Sequence, residues 1–144
     1  MTGRLDELTS WHADWKGLRV AVLGLSMTGF SVADTLAELG AEVLVVTQDA
    51  DAEYARLLPV IGATLWTGAL DTVPAELEAF APEVVVASPG FAPHHPVIAW
   101  VRASGIALWG DIELAWRVRD KVVRADGTPA DWVLITGTNG KTTT

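Results

Sequence analysis

The sequence predicts an α/β fold: a Rossmann-like, open, mostly parallel sheet of five strands with helices on both faces. Short apolar runs alternate with helical segments along the chain, which is the pattern of right-handed βαβ units. The apolar runs are nearly continuous, as expected of strands that are covered on both faces. A further apolar run and a glycine-rich turn near the carboxyl end predict the start of a P-loop ATPase domain.

The first half of the sheet is predicted between residues 18 and 67. The run LRVAVL at 18–23 is strand one. Apolar residues at helical spacing predict a helix over 30–39, and Gly40 ends it as a C-cap. The pattern then predicts a strand at 42–47, a helix at 51–60 and a strand at 63–67.

The second half continues the alternation. A helix over 74–80 is capped by Thr72 or a neighbour, and the nearly all-apolar run EVVVAS at 83–88 is strand four. The remaining segments are a helix at 96–103 closed by Gly105, a strand at 106–109, and a helix from Asp111 through Val118.

Three domain-level segments follow from this reading. Residues 1–118 form the Rossmann-like domain. Residues 119–131 are polar, contain Gly127 and Pro129, and are predicted to be a linker. Residues 132–144 are expected to be the first strand (WVLIT, 132–136) and the P-loop of a truncated ATP-binding domain.

Composition excludes several classes of function. The chain has 144 residues, a net charge of −8 and no cysteine. Its acidity opposes general binding to nucleic acid or anionic membranes. The lack of cysteine excludes disulfides, thiolate nucleophiles and cysteine-based zinc sites. The amino-terminal segment is too polar for a signal peptide, and no apolar run approaches the ~20 residues of a membrane span. We therefore expect a cytoplasmic protein, and no obligate protein partner is indicated.

Basic and aromatic residues outside the turns are interpreted structurally. The cations Arg117, Arg119, Lys121 and Arg124 are expected to form a solvated face. The seven tryptophans are scattered, so most are expected in the core or between domains, with Trp11 and Trp15 at helical spacing over a sheet edge.

The first candidate site is the turn Gly24-Leu25-Ser26-Met27-Thr28-Gly29. It has the shape of the dinucleotide fingerprint G-x-G-x-x-G, with serine at the second glycine. Strand two ends in Thr47-Gln48-Asp49, whereas the fingerprint has an acidic residue at the strand end. Both departures argue against NAD and leave a mononucleotide or sugar nucleotide at the helix N-terminus. The alternative is a turn whose glycines are needed for steric reasons alone.

The second candidate is Ser88-Pro89-Gly90, at the carboxyl end of strand four. Ligands of open α/β sheets bind at such ends, and Gly90 would permit an unusual φ and close approach of a ligand. The alternative is a simple Pro-Gly turn. His94 and His95 follow in the same loop and are expected to be loop or cap residues.

The third candidate is GTNGKTT at 137–143, which follows a predicted strand. Its Gly-Lys-Thr matches the end of the Walker A motif, in which lysine contacts the β- and γ-phosphates and the hydroxyl binds Mg²⁺. The general motif has glycine where Ile135 stands. The alternative is a glycine turn with a chance lysine.

Taken together, in this order and spacing, the three turns resemble the Mur ligases of peptidoglycan synthesis. TGTNGKTT at 136–143 is similar to the short P-loop of that family. GLSMTGFS at 24–31, ASPG at 87–90 and GDIEL at 110–114 resemble its D-glutamate-adding members. The resemblance covers nearly the whole chain from Gly17.

The resemblance implies two sets of binding residues. Those for the UDP part of the substrate are Gly24, Ser26, Met27, Thr28, Gly29, Thr47, Gln48, Asp49 and Gly90. Those for ATP are Gly137, Thr138, Asn139, Gly140, Lys141, Thr142 and Thr143, with Lys141 catalytic and Thr142 a ligand of Mg²⁺. At 47–49 the family often has an acidic residue followed by Thr-Arg, so this chain departs from the pattern there.

The implied activity is an ATP-dependent amide ligase that adds D-glutamate to UDP-N-acetylmuramoyl-L-alanine through an acyl phosphate. The 144 residues alone are expected to bind the UDP moiety at most and to be inactive, with residues 132–144 disordered or packed non-natively. Two alternatives remain at this point. One is a non-catalytic nucleotide-binding or sensing module of Rossmann type, and the other is an interaction protein with a decayed nucleotide site.

Overall fold

The computed structural model describes residues 3–140 and contains one sheet of five parallel strands. The strands are β1 (Arg19–Leu23), β2 (Glu42–Thr47), β3 (Thr64–Thr67), β4 (Val84–Ala87) and β5 (Ala107–Gly110). Their order across the sheet is β3-β2-β1-β4-β5, and every neighbouring pair is parallel. The direction of winding reverses between β1 and β4, where Rossmann-like sheets bind their ligands. The predicted fold class is confirmed.

The helices are α1 (Arg4–Glu7), α2 (Met27–Glu38), α3 (Ala52–Ile61), α4 (Ala75–Phe80), α5 (Pro96–Ala103) and α6 (Asp111–Arg117). Successive strand residues point to opposite faces of the sheet, and two apolar clusters result. One contains Val20 and Val22 with residues of α2, α3 and α6. The other contains Ala21 and Leu23 with residues of α4 and α5. Within the described residues, no helix is long and apolar enough to cross a bilayer.

Helix ends differ slightly from the sequence-based expectation. Helix α2 begins three residues earlier than predicted, directly after Ser26. Helix α3 is capped as its sequence suggests, because the Asp51 carboxylate accepts hydrogen bonds from the amides of Glu53 and Tyr54. The predicted side-chain cap by Thr72 or a neighbour is not formed, since the N-cap residue of α4 is Pro74 and no side chain caps the helix.

The expected solvated face of cations is wrong for Arg117, whose side chain is only 17% exposed. Arg117 donates from one nitrogen to the carbonyl oxygens of Leu5 and Leu8, both at 2.9 Å. Arg119 donates to the Thr9 carbonyl at 3.2 Å, and Lys121 pairs with Glu38 at 2.8 Å. Arg117 and Arg119 thereby connect residues 3–17, which we call the N-terminal segment, to the end of α6 and the residue pair after it, whereas Lys121 pairs with α2.

Asp120 completes this attachment. Its carboxylate accepts a hydrogen bond from the Ser10 hydroxyl and another, at 2.7 Å, from the Trp11 amide. Trp11 and Trp15 do not lie on a helix, contrary to their spacing. Trp15 is instead fully buried, with its ring edge toward Trp109.

Beyond α6 the described chain forms turns rather than a new strand. An isolated antiparallel bridge joins Val123 to Pro129. Residues 132–136 pair with no other strand within residues 3–140, and Val133 and Leu134 are 80% and 85% exposed. The strand assigned to an ATP-binding domain stays a prediction, since residues 132–144 are not expected to pack natively in these 144 residues. A strand needs a neighbour for its backbone hydrogen bonds, and no neighbour is present within residues 3–140. Trp132 packs edge-on against Trp116, with ring centroids 5.2 Å apart.

Candidate functional site

The turn between β1 and α2 presents backbone amides at the switch point of the sheet. Gly24 has φ +99°, which favours glycine, and its amide donates to the Val46 carbonyl at 2.9 Å. The first helical hydrogen bond runs from the Phe30 amide to the Ser26 carbonyl. The amides of residues 27–29 are therefore left at the open end of the helix, an arrangement suited to an anion.

Ser26 is the N-cap residue of α2, yet its side chain makes no capping hydrogen bond. The residue is exposed and its backbone is extended. The serine at this position therefore leaves its hydroxyl available at the same end of the helix as the three amides.

The two flanking glycines of the turn have steric roles. A Cβ on Gly29 would lie 2.9 Å from the carbonyl carbon of Gly24 and closer still to its oxygen. A Cβ on Gly24 would lie 3.3 Å from the Ser88 hydroxyl oxygen and 3.5 Å from the Phe91 ring. The first candidate turn thus packs directly on the second.

Ser88 joins the second turn to β1. Its amide and its hydroxyl both donate to the Leu23 carbonyl, at 3.4 and 3.3 Å. Gly90, two residues later, is exposed, and a Cβ built there meets nothing within 4 Å. Its φ lies outside the left-handed region, so the unusual φ that glycine would permit is not adopted. The chain's own atoms impose no requirement for glycine at position 90.

The carboxyl end of β2 faces this second turn across β1. A groove of about 300 Å³ lies between them, which we call the switch-point groove. Thr47 is buried, and its hydroxyl donates a hydrogen bond to the Asp49 carbonyl oxygen at 2.8 Å. Gln48 and Asp49 are the exposed polar groups at this end. The residues that line the groove are Thr47, Gln48, Asp49, Leu70, Gly90, Phe91 and His95.

The structure therefore brings together candidate residues from two separate turns and from the end of β2. Residues 47–49 and Gly90 line one groove, and Gly24 lies beneath the Ser88 turn that borders it. The side chains of Met27 and Thr28 instead line a second groove of about 450 Å³ between α2 and α6, with Ile112 among its walls. Met27 is 71% exposed there.

Three lining residues were not selected from the sequence: Leu70, Phe91 and His95. Leu70 lies three residues after the end of β3, and no motif in the neighbouring sequence indicates that it would line a site. Phe91 comes directly after the Ser-Pro-Gly turn, which could have indicated it. His95 was expected to be a loop or cap residue, and this is confirmed, since its Nδ1 accepts the Val97 amide hydrogen at the start of α5.

The third candidate turn is described only in part. Residues 137–140 are exposed, and Gly140 has φ +78°. Lys141, Thr142 and Thr143, expected to contact phosphate and Mg²⁺, lie outside the described residues. Over residues 3–140 no group of three or more histidine, aspartate or glutamate side chains is arranged to hold a metal ion.

Comparison with known proteins gives consistent matches. A model for the MurD-like N-terminal domain of Mur ligases matches residues 18–110, which contain all five strands and the first two candidate turns. A UDP-N-acetylmuramoylalanine–D-glutamate ligase of Leifsonia xyli subsp. xyli is 62% identical over 144 residues, covering 98% of this chain and 28% of the relative.

Ligases of the same name from other bacteria are also similar. The protein of Tropheryma whipplei (strain Twist) is 46% identical over 98% of this chain and 28% of the relative. That of Streptomyces coelicolor is 40% identical over 92% of this chain and 27% of the relative. The chain thus spans just over a quarter of the length of these relatives. With the sheet order, the glycine-rich turn and the family match in agreement, the chain belongs to the Mur ligase family, in its group of MurD-like N-terminal domains.

Proposed function

We propose that this chain is the part of a UDP-N-acetylmuramoylalanine–D-glutamate ligase that holds the UDP end of the sugar-nucleotide substrate. The observation that carries the proposal is the position of the switch-point groove beside the open end of α2. A groove lined by polar and apolar residues, next to the amides at the start of α2, suits a nucleoside joined to a diphosphate.

The diphosphate is assigned to the turn at residues 24–29. The amides of residues 27–29 and the Ser26 hydroxyl supply hydrogen-bond donors there. These donors act locally, which is necessary because the net charge of −8 repels anions at long range. Gly24 and Gly29 contribute by permitting the close packing that shapes the turn.

The nucleoside is assigned to the switch-point groove. Gln48 and Asp49 provide exposed polar groups at its β2 side. Thr47 acts indirectly, since its hydroxyl holds the Asp49 carbonyl and so shapes the turn that carries both neighbours. Gly90 supports this assignment, because no atom of the chain itself excludes a side chain at that position.

The complete ligase would join D-glutamate to the L-alanyl carboxylate of the substrate in the bacterial cytoplasm. ATP would convert the carboxylate to an acyl phosphate, and the D-glutamate amine would displace phosphate to form the amide. The residues 137–143 would bind ATP, with Lys141 on its phosphates and Thr142 on Mg²⁺. Such cations would stabilise charge during phosphoryl transfer. We expect the 144 residues alone to bind the UDP moiety without catalysis.

The test is a titration of the chain with UDP-N-acetylmuramoyl-L-alanine, followed by backbone amide NMR, with NAD as the control ligand. We expect shifts confined to residues 24–29, 47–49 and 88–95, and no response to NAD. A response to NAD alone, or saturable shifts elsewhere in the sheet, would contradict the proposal.

A further inference from the structure

The switch-point groove has an aromatic wall opposite its polar side. Phe91 and His95 meet edge to face, with ring centroids 5.0 Å apart. Leu70, only 4% exposed, adds an apolar surface, while Gln48 and Asp49 line the groove from the end of β2. A slot with apolar walls and a few polar groups suits a flat heteroaromatic ring.

The protonation pattern of the His95 ring is determined by its capping role. His95 lies immediately before α5, and its Nδ1 accepts the Val97 amide hydrogen at 3.1 Å. A neutral imidazole has one donor and one acceptor nitrogen. Because Nδ1 is the acceptor, Nε2 carries the proton. None of the described residues accepts a hydrogen bond from it.

The ring is also held in place from a second direction. The edge-to-face contact with Phe91 restrains one side of the ring, and the Val97 amide restrains the other. The backbone amide of His95 is itself bonded to the Ala92 carbonyl at 3.0 Å. The donor at Nε2 therefore requires little further ordering before it binds a ligand, which reduces the entropic cost of binding.

We propose that His95 is a base-recognising residue, whose Nε2 proton is donated to a carbonyl oxygen of the uracil base. This inference rests on the proposed UDP site and adds a specificity-determining residue to it. Uracil presents two carbonyl acceptors around one N–H donor. The groove offers His95 as a donor, the Gln48 carboxamide as donor and acceptor, and the Asp49 carboxylate as an acceptor.

The test compares two substitutions at neighbouring histidines. His95→Asn keeps an oxygen that can cap α5 but removes the ring donor, since asparagine is a favoured N-cap residue. His94→Asn is the matched control, because His94 is exposed in the same loop and does not line the groove. The probes are UDP, uridine and inorganic pyrophosphate, each titrated by amide NMR into wild type and both variants.

We expect His95→Asn to weaken the binding of UDP and of uridine by the same factor, about fivefold, which corresponds to the loss of one neutral hydrogen bond. Pyrophosphate binding should be unchanged, and His94→Asn should match wild type with all three probes. In the wild type, the Nε2 proton of His95 should shift when UDP is added, a readout that does not depend on any substitution.

Each other result overturns a specific statement. If UDP binds His95→Asn as tightly as wild type and the Nε2 proton does not shift, His95 does not read the base, although the UDP site stands. If pyrophosphate is weakened by the same factor as UDP, the ring contacts phosphate and the base assignment is wrong. If wild type binds neither UDP nor uridine, the proposed function fails and this inference fails with it.

Discussion

Gly29, in the first turn of α2, lies against the carbonyl group of Gly24, so that a Cβ on residue 29 would come within 2.9 Å of the Gly24 carbonyl carbon. This contact is between backbone atoms and cannot be relieved by a side-chain rotation. Replacing glycine by alanine inside a helix ordinarily stabilises the helix. At position 29 the clash should make the same substitution destabilising instead.

We therefore predict that Gly29→Ala destabilises the chain by about 1–3 kcal/mol, the usual range for overpacking. Urea unfolding followed by circular dichroism measures the change. A variant as stable as wild type would show that α2 can move away from the β1–α2 turn.

Gly90→Ala should behave in the opposite way. The added methyl group meets no atom within 4 Å, and the residue does not need a left-handed φ. The free energy of unfolding should stay within about 0.5 kcal/mol of wild type. Binding of UDP-N-acetylmuramoyl-L-alanine should weaken by about tenfold, or ~1.4 kcal/mol, because in the proposed site the added methyl group would project toward the ligand. Unchanged binding in a titration would remove Gly90 from the site.

Trp15→Ala should be among the most damaging substitutions. Trp15 is 1% exposed, packs edge-on against Trp109, and donates its indole N–H to the Ser10 carbonyl at 2.9 Å. Truncating a buried tryptophan costs about 3–5 kcal/mol. Trp132→Ala is the control, since Trp132 is 38% exposed and should cost at most ~1 kcal/mol. Equal losses in denaturant unfolding would contradict the burial of Trp15.

Asp120 should make the stability depend on pH in the acid range. The Ser10 hydroxyl, and secondly the Trp11 amide, hold the pKa of Asp120 below its usual value of 3.8. The folded chain thus binds this proton less tightly than the unfolded chain does. Asp120 therefore stabilises the fold above about pH 4, and its contribution disappears as the pH falls through the lower folded pKa.

The measurement is the urea midpoint between pH 6 and pH 3. Asp120→Asn should lose less stability over this interval than wild type, because the titrating group is gone. Asp34→Asn, which removes an exposed carboxylate on α2, should follow the wild-type curve. Parallel curves for wild type and Asp120→Asn would show that the Asp120 carboxylate does not keep its hydrogen bonds to Ser10 and Trp11 in solution.

Ser10→Ala should loosen the residues that follow α6. The Ser10 hydroxyl donates a hydrogen bond to Asp120, 110 residues further along the chain. Arg119 and Lys121, the neighbours of Asp120, are sites at which trypsin cleaves. Losing one hydrogen bond of about 1 kcal/mol should raise cleavage there about fivefold when local opening limits the rate. Ser104→Ala, at the exposed end of α5, is the control. An unchanged rate of cleavage by trypsin would show that the remaining contacts are enough to hold the residues after α6 in place.

The five strands of the sheet are predicted closely from the sequence, because each one is marked by a local run of apolar residues. The run at 42–47 was predicted with the bounds that β2 has, since it is apolar and bounded by Gly40. The turn at 24–29 was also predicted from its own residues. The apolar run at 132–136 forms no strand within residues 3–140 for a non-local reason, since an apolar run becomes a strand only beside another strand.

What the sequence determined by itself is the alternation of strands and helices and the positions of the two turns, because these depend on neighbouring residues. Tertiary structure alone decided which residues meet. It placed Leu70 and His95 beside Gln48 and brought Asp120 to Ser10. The physical reason is that such contacts join residues far apart in the chain, and their geometry is set by how the helices pack on the sheet rather than by local propensity.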